Sequence, residues 1–323
     1  MDKEELVEKA KMSDLSGCMS AIIEELKSGG KYASVHTYTC TLRSFTDFSD
    51  GVVLPANEVF TPGRLKSYQE WLLRKGLSWN SISTYMRTLR AVVNRIFPPG
   101  NEGYVPGLFN DVYTKVESRT KRALTEKQAR ALLSADSGSL PDGMQRPLAY
   151  FQLMFLFRGM PFIDLAHLRK RDVQDDTIVY CRHKTGKQMT VRIPKEAVPL
   201  LKKFADKDPC SIYLFPVLEN GLEDGEQLYR CYLDALCRFN KQLGKLASLL
   251  LPSVKLSSYT ARHTWATLSF HLGIPVGIIS EALGHSSVRV TETYLKPFER
   301  ERVDRANCKL ITSVIGGRQN INL

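Results

Sequence analysis

Between Ser257 and Pro297 the residues that stop and restart helices recur at short intervals, and this punctuation constrains the local fold more than any other feature of the chain. Thr264 to Leu272 sets Trp265, Leu268 and Leu272 on a 3.6-residue period and stops at Gly273. Pro275 restarts a helix that presents Ile278, Ile279, Ala282 and Leu283 before Gly284 ends it. Ser286 or Ser287 can cap a third helix, on which the pattern places Tyr294. Arg262, His285 and Tyr294 are thereby strung along three consecutive short helices.

These residue types fit one chemistry. A phosphodiester under attack by a weak nucleophile develops charge on its non-bridging oxygens, and that charge has to be met by positioned donors. The planar guanidinium fork matches phosphate oxygens, so Arg262 with His285 suits the task. Tyrosine is a poor nucleophile at neutral pH, but once activated it can form a covalent phosphotyrosine that keeps the bond energy for religation, the role that Tyr294 fits. Taken singly, each residue is as well explained by packing, a helix end or solvation; the ordered set is what carries the reading.

That set, Tyr259-x-x-Arg262-His263, then Leu283-Gly284-His285, then Tyr294, closely resembles the second conserved box of the tyrosine recombinase (phage integrase) family. The resemblance implies a mainly α fold with a small β-hairpin or sheet (α+β). A helical core-binding domain would precede a mixed α/β catalytic domain.

Length and charge agree with such a plan. At 323 residues, two domains are the default. Against 34 Asp+Glu stand 45 Lys+Arg, a net +11 that suits a surface meeting a polyanion, with nucleic acid the leading partner. No apolar run approaches the roughly 18 residues that span a bilayer, and the charged start Met1-Asp-Lys-Glu-Glu lacks the apolar core of a signal peptide, so a cytoplasmic protein is expected. Seven scattered cysteines without a C-x-x-C pair read as reduced thiols, forming neither a zinc site nor a disulfide framework.

Along the chain, residues 1–17 read as a polar tail or a first helix. Helix faces follow at Met19, Ile22, Ile23 and Leu26; at Val35, Tyr38, Leu42 and Phe45; from Thr61-Pro62 through Leu65, Tyr68 and Leu72; and from Ile82 to Ile96. Residues 18–105 thus form a helical bundle with Lys66, Arg74, Lys75, Arg87, Arg90 and Arg95 on its outer faces, which the resemblance makes the SAM-like domain that clamps DNA. Residues 106–123 read as a basic linker. The stretch 124–305 would be the catalytic domain, opening on a capping box at Thr125 and Gln128, and 306–323 a C-terminal tail of the kind that often docks on a neighbouring protomer in this family.

Two places depart from the family. Arg158-Gly159-Met160-Pro161-Phe-Ile-Asp164 resembles the first box, but Pro161 stands where the family has a catalytic arginine; Arg158, three residues upstream, is the expected substitute, with Arg169 or Lys170 next in line. Tyr259 stands where a histidine is usual; its hydroxyl can position a phosphate but, with a pKa near 10, cannot share proton transfer near pH 7. Two strands, Ile178–Cys181 and Met189–Ile193, flank a turn in which Lys184 matches the lysine that protonates the leaving 5′-oxygen, with Lys187 the fallback. The resemblance further implies double-stranded DNA as partner, a tetramer of protomers on two DNA sites, a role for accessory DNA-bending proteins, and no cofactor or metal. The outcome is left open among integration, inversion and resolution. The alternative readings are a DNA-binding protein of the same fold whose catalytic set has decayed, and a type IB topoisomerase, against which the two-domain plan and the Leu-Gly-His-x8-Tyr ending argue.

Overall fold

The computed structural model describes residues 15–51, 59–101, 103–116, 122–222, 225–295, 297–298 and 300–316. The chain divides into two compact units, one running to Arg119 and taking in Asp224–Tyr229, the other comprising Thr120–Glu223 and Arg230–Leu323.

The first unit is helical: α1 (Leu15–Ser28), α2 (Tyr32–Phe48), α3 (Pro62–Arg74) and α4 (Trp79–Ile96). Its boundaries are chemical. Thr61 Oγ1 accepts from the Arg64 amide at 3.3 Å with proline in the first turn, and Ser78 Oγ accepts from the Ser81 amide at 3.3 Å. The inward faces of all four helices supply one core, in which Leu65, Tyr68, Leu72, Ile82, Met86, Leu89 and Val92 are fully enclosed. Burying each such aliphatic side chain contributes about 1.5–3 kcal/mol. Tyr68 keeps its hydroxyl satisfied by donating to Ser44 Oγ at 2.8 Å.

Two expected boundaries shift. Helix α1 begins at Leu15, inside the stretch read as a tail or first helix and set apart from the bundle, because Leu15 and Cys18 are core residues; residues 1–14 lie outside the described ones. The stretch read as a linker from 106 contributes Leu108, Phe109 and Val112 to the first core. Its Pro, Gly and charged residues masked three apolar anchors.

The second unit opens with α5 (Glu126–Leu133), whose capping box joins Thr125 and Gln128, followed by α6 (Asp142–Leu156) and α7 (Phe162–His167). A three-stranded antiparallel sheet comes next in the order β1 (Val173–Gln174), β2 (Thr177–Cys181), β3 (Gln188–Arg192), with Ile178 opposite Val191 and Tyr180 opposite Met189. The short β1 adds a strand to the two read from sequence. Helices α8 (Val198–Phe204) and α9 (Gly225–Leu250) precede α10 (Ser258–His271), α11 (Val276–Ala282), α12 (Val288–Glu292) and α13 (Arg300–Gly316).

Helix α6 buries Leu148, Phe151, Leu153 and Met154 and packs against α10. From α9, Phe239 stacks on Phe162 of α7 with ring centroids 4.2 Å apart. Helix α10 is unusual in burying polar side chains: Thr260, Arg262, Thr264, Thr267 and Ser269 are all enclosed. Buried polar groups are costly unless partnered, and their partners define the site.

Candidate active site

The Leu-Gly-His stretch is a Schellman helix end. The His285 amide donates to Ser280 O at 3.0 Å and the Gly284 amide to Glu281 O at 2.9 Å, with Gly284 at φ +63°. A β-carbon on Gly284 would lie 2.7 Å from Met189 Sδ. This geometry leaves the last carbonyls of α11 facing the preceding helix and β2, and sets His285 directly behind them.

Arg262, only 2% exposed, fills that space from α10. Nη1 donates to Gly159 O at 2.9 Å, and Nη2 donates to Leu283 O at 2.6 Å and lies 3.0 Å from His285 Nε2. Gly159, at φ +69°, brings its backbone so close that a β-carbon there would sit 3.1 Å from Arg262 Cα. Arginine has no acceptor, so His285 Nε2 accepts the hydrogen bond from Arg262, and Nδ1 donates to Thr291 Oγ1 at 2.8 Å. Burial, then Arg262, Arg182 and Lys184, push the His285 pKa down to about 3. Burial and Arg182 lower that of Arg262, while Tyr294 acts in the opposite sense.

A pH dependence of stability follows. An unfolded histidine protonates near 6.5 while folded His285 stays neutral, so its contribution is complete above that pH and is lost as pH falls toward about 3. At pH 5 the loss is about 2 kcal/mol, from roughly 1.5 pH units at 1.36 kcal/mol each. Denaturant melts at pH 7 and pH 5 should therefore show wild type losing about that much more than His285→Gln; equal losses would contradict the assignment. His167, also lowered by burial, adds a background slope common to both proteins.

Tyr294 lies two residues beyond α12 rather than on it, in a turn closed by its amide on Thr291 O at 2.9 Å. The five-residue α12 is too short to reach it. The ring is half-buried, with centroids 4.6 Å from His263 and 5.0 Å from His285, and Arg262 Cζ stands 5.6 Å over its face. Thr267 Oγ1 fixes the Tyr294 carbonyl at 3.2 Å. Arg262, His285 and Tyr294 thus converge.

Tyr259 is 53% exposed. Partial burial and then Tyr294 raise its hydroxyl pKa, with Arg262 opposing, which places its polar end toward the same centre. Lys184, at the exposed tip of the β2–β3 turn, makes no hydrogen bond or ion pair among the described residues, yet its charge acts on His285. The fallback, Lys187, is held by Glu281 at 3.1 Å. Arg158 is half-buried and left-handed at φ 57°, and its Nη1 donates to Thr190 O on β3 at 3.3 Å. Its charge acts on the Tyr180 hydroxyl, as do those of Arg262 and Arg182.

One residue of the centre escaped the sequence reading. Arg182, 6% exposed, donates from Nη1 to Gly284 O at 2.6 Å, one carbonyl along from the acceptor of Arg262, and its Nε stands 3.8 Å from Asp164 Oδ2. Asp164 accepts from the His183 amide at 2.9 Å, and burial raises its carboxyl pKa. The signal was the alternation Ile178, Tyr180, Arg182, every second residue buried, which runs one residue past the strand end read from sequence.

Known proteins are similar to this chain in sequence and in fold. Tyrosine recombinase XerA of Pyrococcus furiosus is 27% identical over 252 residues, covering 76% of this chain and 80% of the relative. Tyrosine recombinase XerC of Thermodesulfovibrio yellowstonii is 24% identical, covering 84% and 87%. Among solved structures, the Tn1549 transposon integrase in complex with a circular intermediate DNA superposes with TM-score 0.65 at 17% identity, covering 92% of this chain and 99% of that one. The XerH site-specific recombinase bound to a palindromic difH substrate gives 0.64 at 17%, covering 90% and 84%. The phage integrase SAM-like domain model matches residues 14–97, and the phage integrase family model matches residues 122–301. Covering more than half of the sequence, that second match makes this chain a member of the phage integrase family.

Proposed function

We propose that this chain is a tyrosine-type site-specific DNA recombinase that cuts and rejoins duplex DNA through a 3′-phosphotyrosine. The observation that carries the reading is the convergence of Tyr294 with His285 and Arg262, rings 5.0 Å apart and the guanidinium carbon 5.6 Å over the tyrosine face. Tyr294 Oη attacks the scissile phosphorus and releases its proton to solvent water as the new P–O bond forms. The P–O5′ bond breaks and Lys184 protonates the departing oxygen. One ester replaces another and no water is consumed, so the reverse step religates without a nucleotide. Arg262 meets the charge on the non-bridging oxygens and Tyr259 hydrogen-bonds the phosphate; His285 does so from Nε2 in its other tautomer, with the Thr291 hydroxyl donating to Nδ1 and Arg262 turned to the phosphate, and a second cation is needed where Pro161 stands.

The helical unit (18–105) is the core-binding domain in this reading and the second unit (124–305) the catalytic one. Of the exposed basic residues of the first, Arg95 is paired with Glu25 at 3.2 Å and Lys75 lies 3.8 Å over the Trp71 ring, whereas Lys66, Arg74 and Arg90 make no ion pair among the described residues and are free for phosphates. Association of protomers, as in a tetramer on two sites, is supported by α13, which exposes Val303, Leu310, Ile311 and Val314 with no apolar cover among the described residues. No helix among the described residues is long and apolar enough to cross a membrane, in keeping with work on DNA in the cytoplasm.

The test is adduct capture. Incubated with a randomised nicked duplex pool, the protein should yield denaturant-resistant protein–DNA adducts enriched for one sequence, and should do so in excess EDTA. Sequence-selective binding with no adduct would favour the decayed, purely DNA-binding alternative. Adducts lost only on adding EDTA, with binding intact, would refute the metal-free mechanism.

A further inference from the structure

We propose that Arg182 is the second phosphate-binding arginine of the centre, taking over the charge that Pro161 cannot supply. The inference rests on the recombinase reading and concerns the same site.

Candidate cations are few. Lys170 Nζ donates to Asp208 O and is thereby tied to the loop after α8. Arg169 is held at its backbone by Asp172 and by a bridge to Tyr213. Arg158 turns through a left-handed backbone and lays its guanidinium on Thr190 O of the sheet. Arg182 instead enters the centre itself. Its guanidinium and that of Arg262 are anchored on the adjacent carbonyls of Gly284 and Leu283, both at 2.6 Å, immediately before His285.

The charge balance points the same way. Two enclosed guanidinium groups sit side by side, each 6% exposed or less, close enough for Arg182 to depress the titration of Arg262. Asp164 is the carboxylate that faces them, and its nearest approach to Arg182, 3.8 Å, is longer than a hydrogen bond. Enclosing like charges with so little compensation is expensive, and a phosphate held between them would relieve the excess. Arg182 Nη2 makes no hydrogen bond among the described residues and is not sealed from solvent, which leaves a donor to aim at an oxygen. Two forks then serve two non-bridging oxygens.

A purely architectural role, pinning the β2–β3 hairpin to the end of α11, is the rival explanation, and the phosphate chemistry separates the two. The probe is a nicked duplex carrying the sequence recovered by adduct capture, made once with a normal scissile phosphate and once with a scissile methylphosphonate, which lacks the negative charge. Arg182→Gln, and Arg182→Gln with Asp164→Asn in case the carboxylate left behind prevents folding, should cleave the phosphodiester roughly 10²–10³ times more slowly than wild type. DNA affinity should stay within a few-fold. On the methylphosphonate the defect relative to wild type should shrink to less than about tenfold, because the charge to be neutralised is gone. An architectural lesion would give equal losses on both substrates and overturn the proposal, as would near-normal cleavage of the phosphodiester by either folded variant. Arg158→Ala run in parallel sharpens the decision: a large loss there with normal cleavage by the Arg182 variants assigns the charge to Arg158. Failure of wild type itself to form any adduct would instead overturn the recombinase reading.

Discussion

Tyr294→Phe is expected to bind target DNA with unchanged affinity and to form no covalent adduct, a loss on the order of 10⁶ or down to background, as when a lone nucleophile is removed elsewhere. The substitution deletes one oxygen and little else. Phenylalanine keeps the ring contacts with His263 at 4.6 Å and His285 at 5.0 Å and the position under Arg262, and the Tyr294 carbonyl still accepts from Thr267. A folding defect is therefore not anticipated, and the thermal melt of the variant should overlay that of wild type. The measurement is denaturant-resistant adduct on the nicked duplex. Adduct surviving in Tyr294→Phe would remove the residue from its role and direct attention to Tyr259, whose hydroxyl titration Tyr294 influences.

Arg262→Lys is the second large effect, because lysine retains the charge and loses the geometry. The native guanidinium serves Gly159 O, Leu283 O and His285 Nε2 at once, at 2.9, 2.6 and 3.0 Å. A single ammonium cannot reach all of them. Each enclosed carbonyl left unmet costs about 1–3 kcal/mol, and losing a positioned transition-state donor costs roughly 10²–10³ in rate. Single-turnover cleavage and denaturant melts on the same preparation read the two separately. A folded Arg262→Lys that cleaves at near wild-type rate would show that charge alone suffices there.

How much of this was readable in the residues depends on the physics behind each feature. Helix ends set by Thr61-Pro62, Thr125 and Gln128, Gly273 and Gly284 were legible because capping chemistry is local. The same punctuation brought Arg262, His285 and Tyr294 into one reading. Tyr294 was put on a helix it does not belong to, since a serine ahead of α12 gives no hint that the helix runs out after Glu292. Leu108, Phe109 and Val112 were passed over because burial without periodicity leaves no local mark. Arg158 and Arg182 illustrate the limit best. Proximity to Pro161 along the chain recommended Arg158, but its left-handed backbone and its bond to Thr190 O depend on a tertiary contact with the sheet. Arg182 is remote in sequence from both boxes, and its partners Gly284 and Asp164 come from different elements.

The end of α11 has a consequence for substrate discrimination. The carbonyls of Leu283 and Gly284, lying at the partially negative end of that helix, occupy donors of both Arg262 and Arg182. A phosphate entering the centre has to exchange with these internal acceptors or extend them, and gains only the difference. On the proposed roles of the two arginines, a backbone sliding past out of register would offer too little to displace them, and cleavage would be reserved for a phosphate that the protein holds still against the centre.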